Sequence, residues 1–358
     1  MIISIAPGRT CLFGDHQDYL GLPIIACAID RYIRLTAIEN GFKLFDIKMP
    51  DIKKQRIINI EEEMVNLEKN DHILSSLKVL RRYGCIPDKG YDITITGNLP
   101  INAGVSSSSA VVVAWVNFLL KAFGANNPIT QELVGQIAYE AEVLEHNSPG
   151  GKMDQYSIGL GNILYLETGS HFSYEVLRKP LPGLIIGESG VPKETIGLLQ
   201  ELRENAWSAI NKVMDGIKDF DIKMAKSKNL DSYLKFVPEN LHSYLIAAIN
   251  NHEITKKALL EFKKPVLDIK KIGDLMNAHH DVLKNLLKIT VPKIDNMIDA
   301  ALETGAYGAK IVGSGRGGSI AVIAPPDKEE AIIQSIKLAG GIDAYKVAVD
   351  PGARILKS

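Results

Sequence analysis

Four carboxylates, one arginine and a run of serines stand out in this chain by type and spacing. Asp15 and Asp18 share the segment GRTCLFGDHQDYLG with Arg9, and Glu142 lies in a polar helical pattern. Asp154 follows a Pro-Gly-Gly turn in PGGKMDQ, where loop glycines let a ligand approach the backbone. Ser106 to Ser109 come after a glycine turn in LPINAGVSSSSAVVV and run directly into an apolar helix. The first turn of a helix offers unpaired backbone N–H groups and the positive end of the helix dipole, so small residues there suit a polyphosphate. Phosphoryl transfer asks for such a cradle, a hydroxyl or carboxylate for Mg²⁺, and a base or orienting group for the nucleophile. On these residues alone a plainer reading stands beside it: serines cap helices, and single acids are usually solvated groups or caps.

Other chemistries fare worse. Gly313-Ser-Gly-Arg-Gly-Gly318 formally matches G-x-G-x-x-G, but the strand-like SIAVIAP follows it. A dinucleotide fingerprint must instead open a helix, so a nicotinamide enzyme is disfavoured and a tight glycine hairpin is expected. A Walker A loop fails because Gly150-Gly-Lys152 is followed by Met153. Protein-kinase signatures fail because Asp219-Phe220 is followed by Asp221. His279 and His280 are helical neighbours pointing about 100° apart, which favours packing over a metal pair.

The elements that must position these residues follow from hydrophobic patterning and breakers. Strands are expected at Ile2–Ile5, Leu22–Leu35 and Tyr91–Ile95, with a peripheral hairpin in 43–68. Helices are expected from the cap Asp71 through Tyr83, after the serine run, and from Thr130 to about His146. Ile158–Leu166 reads as a strand. Further on come helices at Thr195–Ile217, Asn240–Asn250, Ile272–Leu287 and Pro292–Thr304, then strands at Ala309–Val312 and Ser319–Ala324.

A chain of 358 residues favours two domains with a cleft between them, and the turn at Pro180–Gly183 is the best junction, giving 1–180 and 181–358. Lys plus Arg number 41 against 42 Asp plus Glu, which gives no reason to expect nucleic acid or a membrane as partner. A small-molecule substrate fits better. Cys11, Cys27 and Cys85 show no framework or ligand spacing, implying a reducing cytoplasm. The most apolar run, 110–120, is interrupted by Asn117 and too short for a bilayer.

Taken together, the segments resemble the GHMP kinase superfamily, and galactokinase-like sugar kinases most of all. APGRTCLFGDHQDYL (6–20) is similar to the galactokinase signature APGRVNLIGEHTDYN, and 99–110 resembles the phosphate-loop motif P-x-G-x-G-L-S-S-S-A. GAYGAKIVGSGRGGSIAV (305–322) resembles the C-terminal glycine motif. AEVLEHNSPGGKMDQ resembles A-E-H-x-x-x-G-x-P-C-G-x-M-D-Q, and LMNAHHDVL resembles L-M-x-x-S-H-x-x-L with His280 in register. SGVPKET (189–195) is instead nearer the V-P-x-x-T segment of mevalonate kinases.

The resemblance implies an α+β, two-domain GHMP kinase fold. Its N-terminal domain has a left-handed βαβ unit, its C-terminal domain is ferredoxin-like, and the last strand is able to return to the first domain. It also implies an ATP-dependent, Mg²⁺-requiring kinase acting on a monosaccharide at the anomeric hydroxyl, as a monomer or homodimer. Asp154 would face the acceptor hydroxyl and Arg9 would stabilise the charge that develops in transfer. Gly104, Val105, Ser106, Ser107, Ser108 and Ser109 would wrap the β- and γ-phosphates, with Ser108 and Glu142 holding Mg²⁺. Asp15, His16, Asp18 and Gly151 would face sugar hydroxyls. Departures bear on substrate choice: Asp15 stands in place of Glu, Gln17 of Thr, Asn102 of Gly, Ser109 of Ala, and Arg316 of an aromatic residue. The alternatives are a mevalonate-like acceptor on the same fold and a sugar- and ATP-binding regulator without activity.

Overall fold

The structure, a computed structural model, describes residues 1–61, 67–101, 103–192 and 196–357. Asn102 and the end of SGVPKET lie outside the described residues. The first half contributes strands β1 (Ile2–Phe13), β2 (Ile24–Glu39), β3 (Leu44–Met49), β4 (Lys54–Asn59), β5 (Tyr91–Gly97), β6 (Ile163–Glu167) and β7 (Ser173–Leu177). Its helices are α1 (His72–Arg82), α2 (Ser107–Phe123), α3 (Gln131–Tyr139) and α4 (Met153–Leu160). The second half contributes β8 (Leu184–Glu188), helices α5 (Ile196–Gly216), α6 (Leu230–Leu234), α7 (His242–Phe262), α8 (Ile269–Asn285) and α9 (Pro292–Thr304), then β9 (Gly308–Val312), β10 (Ser319–Ile323), α10 (Glu329–Leu338), β11 (Asp343–Lys346) and β12 (Arg354–Leu356).

Among the described residues, the first sheet runs β12-β1-β2-β5-β3-β4, with β6 and β7 branching from β2. β3 pairs parallel to β5 and the other ladders are antiparallel. The second sheet is antiparallel in the order β11-β8-β10-β9. With helices between β8 and β9 and α10 between β10 and β11, that is the ferredoxin-like βαββαβ arrangement. Two sheets, each with its own helices, make the two-domain α+β arrangement that the resemblance implies. β12 crosses back to pair with β1, placing Ile3 opposite Leu356.

Local chemistry explains most boundaries. The Asp71 carboxylate caps α1 by accepting from Leu74 N at 3.2 Å, and Thr130 Oγ1 caps α3 by accepting from Leu133 N at 3.1 Å. α9 begins on Pro292 and stops at Gly305 in the left-handed region. α2 is apolar nearly all round and therefore buried: Trp115 meets Phe45 edge-on at 5.4 Å, and Phe118 meets Tyr91 at 5.2 Å.

Three expectations are corrected. β1 does not stop at Pro7 and Gly8 but bulges there and continues to Phe13, because Arg9 N donates to Val105 O at 3.1 Å and ties the strand to the serine loop. The apolar run 158–166 is not one strand: α4 ends at Leu160, Gly161 and Asn162 turn with positive φ, and β6 starts at Ile163. Continuous apolar runs carry no period that separates a buried helix end from a buried strand. The expected helix to His146 also changes character, since α3 gives way to a π-helical segment at Glu140–Leu144.

Candidate active site

Arg9 enters the interior on β1, 4% exposed, and its Nε donates to Asp154 Oδ1 at 2.7 Å while its Nη1 donates to Gly104 O at 2.6 Å. One cation thus joins the acid on α4 to the loop before α2. Burial opposes the guanidinium charge, but Asp154 more than compensates and raises its pKa. The second oxygen of Asp154 accepts from Ser106 Oγ at 2.6 Å. Ser106 sits at the start of α2 with φ 59°, and its hydroxyl forms no cap hydrogen bond to the helix. The capped-helix reading of the serine run therefore does not hold at this residue: its side chain is spent on Asp154.

Ser109, one turn into the helix, donates to Glu142 Oε1 at 2.8 Å, and Gln155 Nε2 donates to Glu142 Oε2 at 2.7 Å. The π-helical segment carrying Glu142 is held against α1, where Ser75 Oγ donates to Ala141 O at 2.8 Å. Ser108 is exposed and lines the same cavity as Glu142. A hydroxyl and a carboxylate are hard oxygen donors that suit Mg²⁺, which usually takes one or two protein carboxylates and completes its shell with phosphates and water. Among the described residues no group of three or more His, Cys, Asp or Glu could hold a metal.

Arg9, Asp15, His16, Asp18, Ser108, Ser109, Glu142, Gly151 and Asp154 share the wall of one cavity of about 180 Å³. Gly104, Val105, Ser106 and Ser107 do not face it. Gly104 accepts from Arg9, Val105 is fully buried, and Ser107 opens with Ser108 onto a second, apolar cavity of about 240 Å³. The turn bearing Asp15 to Asp18 is fixed from below, since Gln17 Nε2 donates to Pro23 O at 2.5 Å and to Thr255 Oγ1 at 3.2 Å. Gln17 is fully buried, so it shapes the turn rather than meeting a ligand.

Asp15 lines the cavity but is engaged elsewhere: Lys310 Nζ donates to Asp15 Oδ2 at 2.7 Å, with both side chains buried. Burial works against the carboxylate, yet Lys310 outweighs it and holds the pKa below the usual range. Lys310 also donates to Cys11 O at 3.0 Å. His279, stacked on Phe13, is driven to about 3 by burial and by Lys310. His280 is also held in packing, driven to about 4 by burial, and its Nδ1 accepts from Ile311 N at 3.5 Å. Lys310 was missed in the sequence, where it looks like an interruption of the strand AKIV; a lysine at a core strand position was the available signal.

His16 has φ 63° and is driven to about 4 by burial, and its Nε2 has no hydrogen-bond partner among the described residues. A buried ring nitrogen without a partner, on the wall of a cavity, suits a ligand hydroxyl. Asp18 lies against Gly151, where an added Cβ would overlap its carboxylate. Burial, then the charge of Asp154, raises Asp18 to about 6. The glycine hairpin joins β9 to β10, and a Cβ on Gly313 would stand 3.2 Å from Gly104 Cα. Gly313 and Ser314 also line the 180 Å³ cavity, so this turn buttresses the serine loop and closes the site.

Three family models match the chain: GHMP kinases N terminal domain over residues 71–162, GHMP kinases C terminal over 255–341, and the galactokinase galactose-binding signature over 2–37. The chain belongs to the GHMP kinase superfamily. GHMP kinases are phosphotransferases. The chain is 28% identical to the mevalonate kinase of Thermococcus sibiricus over 366 residues, covering 99% of this chain and 98% of that one. It is 27% identical to the galactokinase of Haemophilus influenzae over 346 residues, covering 92% and 87%. The crystal structure of Lactococcus lactis galactokinase complexed with galactose superposes with a TM-score of 0.84 at 21% identity, covering 99% of this chain and 95% of that one. Among the described residues no helix is long and apolar enough to cross a membrane.

Proposed function

We propose that this GHMP kinase transfers the γ-phosphoryl group of ATP to a monosaccharide hydroxyl, the anomeric one. The observation that carries the reading is Asp154, held by Arg9 and Ser106 at the mouth of α2 and facing a cavity lined by Asp15, His16 and Asp18. The triphosphate lies along the first turn of α2, whose backbone N–H groups and dipole favour anions. The adenine occupies the apolar cavity bounded by Ile33, Met49, Ile95, Leu99 and Val111, with Ser107 and Ser108 at its edge. Ser108 borders both cavities, so base, phosphates and acceptor meet at one residue.

Ser108 and Glu142 would hold Mg²⁺, which would supply charge neutralisation for the phosphates. Arg9 adds a fixed positive charge where negative charge develops. A carboxylate of pKa about 4 is too weak a base to ionise a sugar hydroxyl before attack. Asp154 therefore orients the hydroxyl and takes its proton as the bond to phosphorus forms.

Similarity to mevalonate kinases favours a second reading, a mevalonate-like acceptor in the same cavity. Against it stands the lining: Asp15, Asp18 and Asp154 line the acceptor space, and three carboxylates there suit a ligand that offers several hydroxyls better than one that offers few. Incubation with ATP and Mg²⁺ and a panel of sugars, polyols and mevalonate, scored for ADP release, separates the readings. Sugar-dependent turnover is expected. Turnover of mevalonate alone would replace this assignment, and sugar binding with no turnover would make the protein a regulator.

A further inference from the structure

Beside the acceptor cavity lies a larger one of about 510 Å³, with Asp18, Tyr19, Gly150 and Gly151 common to both walls. The inner cavity, about 180 Å³, falls below the roughly 300–1,000 Å³ typical of small-molecule sites. The two together fall within that range. Their charges are segregated. Acids crowd the inner cavity, whereas Lys152, Arg203 and Lys223 line the outer one, against Asp18 and Asp221.

Among the described residues, two of these cations have no carboxylate partner. Lys152 Nζ lies over the rings of Phe172, at 4.5 Å, and Tyr139, at 5.7 Å, and among the described residues no carboxylate pairs with it. Burial lowers its pKa. Arg203 projects from α5 into the same space beside Tyr19 and Tyr139, with no hydrogen bond or ion pair among the described residues. Lys223 is partly matched by Glu167 at 3.6 Å, and Asp221 accepts from the Lys223 backbone N at 2.9 Å. Arg203 is exposed and Lys152 half-buried, so both charged heads are open to an anion that enters the outer cavity, where each would form a charge-assisted hydrogen bond.

We propose that the acceptor sugar carries an anionic group, a carboxylate or a phosphate, which enters the outer cavity and is held there by Lys152 and Arg203. This rests on the acceptor site at Asp154, since the outer cavity shares the Asp18 and Gly151 wall with it. Trp207 and Phe220 supply apolar wall beside the cations. The group lies on the far side of the ring from the reacting hydroxyl, away from Asp154.

The test compares D-galactose, D-galacturonate and D-galactose 6-phosphate as acceptors at fixed ATP and Mg²⁺, with the wild type and the Arg203→Gln and Lys152→Gln variants. The ratio of kcat/KM for an anionic acceptor to that for galactose is expected to exceed one in the wild type and to fall about tenfold in each variant, chiefly through KM. The uronate and phosphate arms say which anion fits. A wild-type preference for galactose, or variants that lower all acceptors equally, overturns the proposal. If no sugar is turned over, calorimetric binding decides. Galacturonate or galactose 6-phosphate bound by the wild type and weakened about tenfold by Arg203→Gln would keep the anion cavity and discard the sugar-kinase reading. No binding would discard both.

Discussion

Arg9 Nε and Asp154 Oδ1 stand 2.7 Å apart although 145 positions separate them in the chain. That contact fixes a strand of the first sheet to the helix bearing the proposed acceptor-facing acid, and it orients the Asp154 carboxylate. Asp154→Asn keeps the size and removes the charge. The expected result is a kcat lower by about 10²–10⁴ with KM for ATP nearly unchanged. Steady-state kinetics check it.

Asp18 makes the acceptor site pH-dependent. Its carboxyl titrates at about 6 in the fold, against an ordinary value near 4, so between those values the folded protein binds more protons than the unfolded one. Stability from this group is full below about pH 4 and is lost as pH rises through about 6. Activity runs the other way, because only the carboxylate accepts from a substrate hydroxyl through both oxygens. The kcat/KM for the acceptor should rise to a plateau with an apparent pKa near 6. Asp18→Asn should flatten that limb, lower kcat/KM, and stabilise the protein above pH 6 by about 1 kcal/mol, a value discounted for partial solvent access.

Gly151 lies against the Asp18 carboxylate with no room for a side chain. Gly151→Ala must push Asp18 out of the cavity. KM for the acceptor is expected to rise about tenfold or more, while calorimetry should find ATP affinity unaltered.

Lys310 and Asp15 form an ion pair that is closed off from solvent. Removing one partner strands the other, so Lys310→Met should destabilise the fold by about 3–5 kcal/mol, read from denaturant midpoints. The double variant Lys310→Met with Asp15→Asn should recover part of that loss, because no unmatched charge remains.

The sequence made legible those parts whose chemistry is local. Asp71 and Thr130 announce their helices as caps, and Pro292 and Gly305 bracket α9. The two-domain fold, and the segments that meet at the cavity, came from motif resemblance. Less legible were features set by partners distant in the chain. Ser106 could have been read as a cap, but its hydroxyl goes to Asp154; Ser109 looked like a phosphate contact, but it positions Glu142. Asp15 lines the cavity as its segment suggested, but its ion pair with Lys310, 295 positions away, was not legible. The π-helical segment that presents Glu142 has no composition that separates it from an ordinary helix.

Transfer of a phosphoryl group from ATP to a sugar hydroxyl beside Asp154 is followed atom by atom in ³¹P NMR. Protein, ATP, Mg²⁺ and the sugar that best supports ADP release are followed to completion. The γ-phosphate resonance is expected to be replaced one-for-one by a sugar phosphate coupled to the anomeric proton, and Asp154→Asn is expected to leave the γ-phosphate in place. An intact γ-phosphate with the wild type, or a phosphate ester that forms only on mevalonate, would contradict that transfer.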